Sequence, residues 1–300
     1  MTIGSVSRDD DVGRNPTLMA NYTPAKLLED FSLEMTGKDV PGLLDAAPLI
    51  PQGTRINVTF LGNEDLEMRL VASKAVLDGG FIPVPHISAR RLKSQQQLEE
   101  FLGALQAQNT SEYVFSVGGD PSTPEGPYED SHDVIKTGLL QQYGAKDVSI
   151  AGYPEGHPDI TDEQLWAAIT GKHATLTEQG TRGTILTQFG FDEDPVVEWI
   201  EKVRAVGIDY EIRVGVPGPA GIKRLLAFAA RFGVASSAGI AKKYGLSLTN
   251  LMGTAGPDKF IGRLAKRLDT DKHGIVKLHF YTFGGLVATS EWIRDFKEKL

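Results

Sequence analysis

Three hundred residues with 41% hydrophobic content are enough to bury one large core. A net charge of −8 and an isoelectric point near 5.3 argue against a surface built for nucleic acid or an anionic membrane. The absence of cysteine excludes disulfides, thiolate zinc sites, iron–sulfur clusters and a cysteine nucleophile, and it fits a reducing compartment.

Residues 1–22 are polar, carry Asp9-Asp10-Asp11 and offer few large apolar side chains, so they are expected to form a flexible arm ahead of a single domain spanning 23–300. No basic stretch followed by an apolar run opens the chain. No segment approaches the ~20 apolar residues of a membrane helix. A soluble cytoplasmic protein with small-molecule partners is therefore expected. From Leu27 onward, strand-like runs occur at Phe31–Glu34, Ile56–Phe60, Phe81–Pro85, Tyr113–Val117, Val148–Ala151, Gly183–Gln188, Tyr210–Val214 and Lys277–Phe280. Between them lie apolar residues at helical spacing, such as Leu66, Leu70, Val71 and Ala75 ahead of Gly79-Gly80.

Eight strands alternating with helices imply right-handed parallel crossovers, and eight such units predict a (β/α)8 TIM barrel. The interval from Gly215 to Val276 is long enough for extra helices between strands seven and eight, over 221–232, 236–252 and 257–271. No Gly-x-Gly-x-x-Gly follows the first strand, so an open dinucleotide-binding sheet has no support.

Barrels place their chemistry at the carboxyl ends of the strands. There the sequence puts Glu34, Thr59, Gly62-Asn63, His86, Gly118-Gly119-Asp120-Pro121, the run Ala151-Gly-Tyr-Pro-Glu-Gly-His-Pro158, and Gln188. His86, His157, Asp120 and Glu155 offer metal-binding groups, but no His-x-His or His-Glu-x-x-His pair holds a cation on one element, so no metal is expected. No lysine stands at a strand end for Schiff-base chemistry, and no nucleophile elbow is present. Acid–base work by Glu34 and Asp120 remains, with Gly118 and Gly119 letting a planar ligand approach the backbone. Leu33 and Met35 are expected to wall Glu34 and raise its pKa by desolvation. A flavin or pterin suits such a cavity. Lys223-Arg224 and the basic residues from Arg263 to Arg267 read as solvated helix faces. The loop from Gly215 to Gly221 reads as a substrate or cofactor loop, of the kind that cradles phosphate, with a simple turn as the alternative. Trp166, Trp199 and Trp292 read as packing anchors.

In order along the chain, Ser32-Leu-Glu34, Val58-Thr59, Pro85-His86, Gly119-Asp120, Ala151–Pro158, Thr187-Gln-Phe-Gly-Phe-Asp192 and His279-Phe-Tyr-Thr282 resemble the flavin-dependent 5,10-methylenetetrahydrofolate reductases. The resemblance runs from about Phe31 to Phe283 and is to a short bacterial-type form without a C-terminal regulatory domain. It implies that Glu34 is the general acid that protonates N10 and opens the five-membered ring to an iminium. It implies that Asp120 lies near both rings, and that Gln188, Ile222 and Tyr281 meet the substrate. Thr59, His86, Gly118, Gly119, Asp120, Tyr153, His157 and Lys172 would meet the flavin. The implied cofactor is FAD, with NADH or NADPH as co-substrate, a tetrahydrofolate one-carbon derivative as partner, and a homo-oligomer as the assembly.

This sequence also departs from the family pattern. Gly118 stands where an arginine is usual, Ile222 replaces an aromatic that stacks on the ligand, and Gly284-Gly285 replace Asn-Arg. Lys172 lies only near the place of the family's helix lysine, and the proline pair after the first-strand glutamate is missing. These departures bear on the FAD phosphate contacts, and they leave an alternative open. The alternative is a folate-binding barrel without a flavin, either of methyltransferase type or passing hydride directly from nicotinamide to folate.

Overall fold

The alternating runs close on themselves in space. The computed structural model describes residues 21–60, 62, 64–231 and 254–300, and its main body is a closed barrel of eight parallel strands. The strands are β1 (Ser32–Met35), β2 (Arg55–Val58), β3 (Ile82–Ser88), β4 (Tyr113–Val117), β5 (Asp147–Gly152), β6 (Arg182–Phe189), β7 (Glu211–Pro217) and β8 (Val276–Tyr281). Each pairs with its sequence neighbours, and β8 returns to β1 through the register Ser32 to His279. The expected TIM barrel is the fold.

Helices α1 (Val40–Ala46), α2 (Leu66–Asp78), α3 (Gln95–Ala107), α4 (Ser131–Lys136), α5 (Asp162–Glu178) and α6 (Glu193–Ala205) link consecutive strands. Between β7 and β8 the described residues include α7 (Ile222–Arg231), α8 (Asp258–Arg267) and a short helical turn over Thr270–His273, and α9 (Leu286–Lys297) completes the ring. The helix expected over 236–252 lies outside the described residues, as do residues 1–20 and Asn63. Local sequence starts these helices. Asp65 accepts from the Met68 amide at the head of α2, and Thr161 and Gln164 form a reciprocal capping box at the head of α5. No described helix is long and apolar enough to cross a membrane.

Period two along the strands divides the side chains into two sets. Leu33, Met35, Ile56, Val58, Leu278 and Phe280 are at most 1% exposed and pack outward under the helices. Burying each such side chain contributes about 1.5–3 kcal/mol. The alternate residues face the barrel axis, where Val84, Phe115 and Leu186 form a separate small cluster. Above that cluster the inward residues turn polar, and this sets the site.

Most strand boundaries shift by one or two residues from expectation, and three differences matter here. β3 runs through Pro83 and Pro85 to Ser88 instead of stopping at Pro85. Both prolines pair against β2 only, and the ladder to β4 begins at His86, so their missing amides break no bond on that side. β7 extends to Pro217. Tyr22, assigned to the polar arm, is 7% exposed; its hydroxyl donates to the Gly274 carbonyl at 2.7 Å and accepts from the Val276 amide at 2.8 Å. A tyrosine buries its ring wherever its hydroxyl finds a partner.

Candidate active site

Ser32 and Glu34 are two residues apart on β1 and so point the same way, toward the barrel axis. Across the β1–β8 seam His279 meets both. Its Nδ1 lies 2.9 Å from Ser32 Oγ, and its Nε2 lies 3.6 Å from Glu34 Oε2. On the other side β2 sets Asn57 opposite Glu34, and the Asn57 amide nitrogen lies 3.3 Å from His86 Nε2. Tyr281 packs its ring edge-on to His279 at 4.9 Å and donates its hydroxyl to the Thr187 carbonyl at 3.0 Å. Thr282 closes the ring by donating to the Glu34 carbonyl at 2.6 Å.

These groups have lost water without gaining full counter-charges. Desolvation raises the Glu34 pKa from 4.5 to about 7, against a smaller lowering by His86. Desolvation lowers His86 to about 4, the neighbouring Glu34 opposing it, and lowers His279 to about 3, with Arg213 adding to the effect. Tyr281 is raised well above 10 by burial and by Glu34 and Tyr153. At neutral pH the cluster therefore holds neutral imidazoles, a neutral phenol and a carboxyl that titrates near neutrality. Desolvation is the cause expected, but the residues that wall the carboxyl are not. Leu33 and Met35 face the helices, because adjacent strand residues alternate, and the wall around the carboxyl is His279, His86 and Tyr281.

The remaining predicted residues ring this centre at varying distance. Gln188 sits at a register break between β6 and β7, where the pairing jumps from Leu186 to Phe189, and its Oε1 accepts from the Phe189 amide at 3.1 Å. Such a bulge re-aims a side chain at a barrel rim. Thr59 Oγ1, just past β2, is buried with no hydrogen-bond partner among the described residues. Tyr153 and His157 meet edge-to-face at 5.4 Å on the β5–α5 loop. Gly118 has open space where a Cβ would stand, and Gly119 adopts φ +94°. Asp120 does not join Glu34. It is exposed at the rim, where Arg91 Nε donates to it at 3.0 Å. Lys172 is buried on α5 near Asp130, with its amine pKa lowered by desolvation. Ile222 is 4% exposed in the outer core at the start of α7.

Ser32, Asn57 and His279 were not singled out as site residues from the sequence. The signal for two of them was present: Ser32 shares the period-two face of Glu34, and His279 opens the motif His279-Phe-Tyr-Thr282. Their meeting depends on the β1–β8 closure. In the loop after β7 the Gly218 amide donates to the Tyr281 carbonyl at 2.8 Å, which supports the turn reading over a phosphate cradle. Arg263 and Arg267 on α8 pair with Glu193 and Asp194 on α6, so they fasten helices. Trp166 and Trp199 pack 6.1 Å apart between α5 and α6, beside a cavity of about 270 Å³ outside the barrel.

Comparison with known proteins agrees with this geometry. The family model described as methylenetetrahydrofolate reductase matches residues 51–294. A 5,10-methylenetetrahydrofolate reductase of Pectobacterium carotovorum is 31% identical over 150 residues, which are 50% of this chain and 48% of that protein. The enzyme of that name from Salmonella typhimurium is 26% identical over 180 residues, 58% of this chain and 57% of its own. Methylenetetrahydrofolate reductase 2 of Saccharomyces cerevisiae is 30% identical over 111 residues, 34% of this chain and 18% of its own. The chain thus spans about half the length of the bacterial relatives it matches. With the family model covering most of a barrel whose mouth carries the family's motifs, the chain belongs to the methylenetetrahydrofolate reductase family.

Proposed function

We propose that this protein reduces 5,10-methylenetetrahydrofolate to 5-methyltetrahydrofolate, with NADH or NADPH as the electron source and FAD as the carrier. One observation carries the reading. Glu34 is a carboxylic acid with a pKa of about 7, set among neutral imidazoles at the mouth of the barrel. Opening the five-membered ring requires a proton on N10 as the bond from N10 to the methylene carbon breaks. With its pKa raised to about 7, Glu34 holds that proton near neutral pH far more often than an unperturbed glutamate does. The neutral His86 and His279 do not repel the iminium that forms. Once Glu34 has given up its proton, a His279 tautomer with Nε2–H, fixed by Ser32 donating to Nδ1, faces the new carboxylate. Gln188 and Tyr281 supply the polar and aromatic edges that orient the pterin. The methylene carbon gains a hydride and becomes the methyl group.

Bound FAD supplies reversible two-electron storage between nicotinamide and folate. The mouth fits the ring end of that cofactor. The orphaned Thr59 hydroxyl, Tyr153, His86 and the open space at Gly118 would hold it. The diphosphate end is less well served. Arg91 is engaged by Asp120 and, at 3.8 Å, by Glu125, while Arg90 lies 3.7 Å from Glu129. That observation favours a second reading, in which hydride passes directly from nicotinamide to folate.

An anaerobic absorbance experiment separates the two. Under the first reading the protein takes up FAD, the flavin band bleaches with NADH or NADPH, and it recovers on adding methylenetetrahydrofolate. Turnover that neither takes up nor needs FAD supports direct transfer. No folate turnover under either condition overturns the proposal.

A further inference from the structure

A cavity of about 270 Å³ lies outside the barrel between α5 and α6, with the loop that follows β5 as its inner wall. That volume is at the small end of ligand sites, and at roughly 30 Å³ for each water it holds a molecule of about nine such volumes. The wall is specified residue by residue. Gly152 ends β5 without a side chain, and a Cβ there would stand 2.5 Å from the Trp199 ring, so the glycine is what lets the indole lie against the strand end. Trp166 meets Trp199 at 32° with centroids 6.1 Å apart, and Ile169, three residues on, adds an apolar side chain from the same face of α5.

The polar lining is one-sided in charge. Glu155, Asp162 and Glu198 line the cavity against one cation, Lys202, among the described residues. Asp162 leans toward the loop wall, its Oδ1 3.6 Å from where a Cβ on Gly156 would stand. Other carboxylates of α6 are neutralised: Glu193 pairs with Arg263, Asp194 with Arg267 and Glu201 with Lys272. Asp162 and Glu198 form no ion pair among the described residues. Glu155, Asp162 and Glu198 do not converge closely enough to chelate a metal ion, since the one such cluster among the described residues is Asp192, Glu193 and Asp194. Spread negative charge beside indole faces suits an organic ammonium, whose charge both attract and whose alkyl groups displace water from the rings. An anion would meet repulsion from the carboxylates.

We infer that the cavity between α5 and α6 binds a small organic ammonium cation, with Trp166 and Trp199 against its alkyl groups and Asp162 and Glu198 as counter-charges. None of Glu34, His86 and His279 lines this site. Its loop wall, Pro154 to Gly156, also borders a small void beside Gln188 and Phe189, so the site adjoins the mouth of the barrel without sharing its acid.

Calorimetric titration with choline and with 3,3-dimethylbutan-1-ol, its uncharged isostere, tests this on wild type, Trp166→Leu, Glu198→Gln and Glu34→Gln, with a thermal melt to check folding. Glu198 is exposed, so its variant reads the site even where the tryptophan variant fails to fold. Wild type is expected to bind choline about tenfold more tightly than the alcohol. Trp166→Leu is expected to weaken choline about tenfold, and Glu198→Gln about threefold with a flatter salt dependence. Glu34→Gln is expected to bind choline like wild type. Wild type that does not bind choline, or that binds the alcohol as tightly, overturns the inference. Folded Trp166 and Glu198 variants that bind choline like wild type overturn it too. Loss of choline binding in Glu34→Gln places the cation at the mouth and has the same consequence.

Discussion

The two ends of the barrel handle buried charge in opposite ways. At the amino end Arg213 is 3% exposed and paired with carboxylates: it donates to the Asp30 carbonyl and carboxylate, both at 2.9 Å, and lies 2.7 Å from Glu211. Arg55 adds a contact to Glu211 at 3.5 Å. At the carboxyl end, the ion-pairing group nearest Glu34 among the described residues is a neutral histidine 3.6 Å away. The first arrangement keeps ions charged and holds strands together, and the second lets a carboxyl share its proton near neutral pH. Groups of shifted pKa in a cleft without a full counter-charge mark chemistry, whereas paired ones mark structure.

Replacing Glu34 with Gln should separate the two ends most sharply. Folate turnover is expected to fall by about 10²–10⁴-fold, with electron flow from nicotinamide to any bound flavin largely kept. Equal loss of both half-reactions would remove the acid role from Glu34. In the wild type the rate should decline as pH rises through about 7, where the acid loses its proton. Arg213→Met tests the other end. Stranding the partly exposed Asp30 and Glu211 should cost about 1–3 kcal/mol in denaturant titrations, while turnover per folded molecule persists. A stable but inactive variant would break the division.

A subtler effect concerns stability against pH. The folded-state pKa of Glu34 lies above its ordinary 4.5, so the native chain holds that proton more tightly and loses stability as pH rises from about 4.5 to 7. Above pH 7 the cost is about 3 kcal/mol. Glu34→Gln should therefore stabilise the protein at pH 8 and change little at pH 4.5, as denaturation at the two values would show. His86 and His279 act in the opposite direction. Their pKa values lie below the ordinary 6.5, so acidification below about 6.5 protonates the unfolded chain first and removes stability. The smallest effect is expected for Ser32→Ala, which frees the His279 tautomer. About a tenfold loss in kcat, with folate KM unchanged, would fit its role, while a change in KM alone would place Ser32 in binding.

Much of this was legible along the chain. Hydrophobic periodicity and helix-capping residues are local signals, so the strand count, the barrel and the extra helices after β7 could be read from sequence order. Glu34, His86 and Gln188 were legible because strand ends are local features of known orientation. Other properties depend on neighbours far apart in sequence. The partnership of Ser32 and Glu34 with His279 needs a seam between the first and last strands. The wall around Glu34 is built by the opposite face from the one its sequence neighbours suggested. Asp120 sits at the end of its strand as expected, yet Arg91 turns it to the rim. Sequence order specifies which residues arrive at the mouth, since backbone preference and side-chain alternation are set by near neighbours. Protonation and pairing were decided by closure of the barrel, because desolvation and Coulomb energy depend on distances that only the folded chain defines.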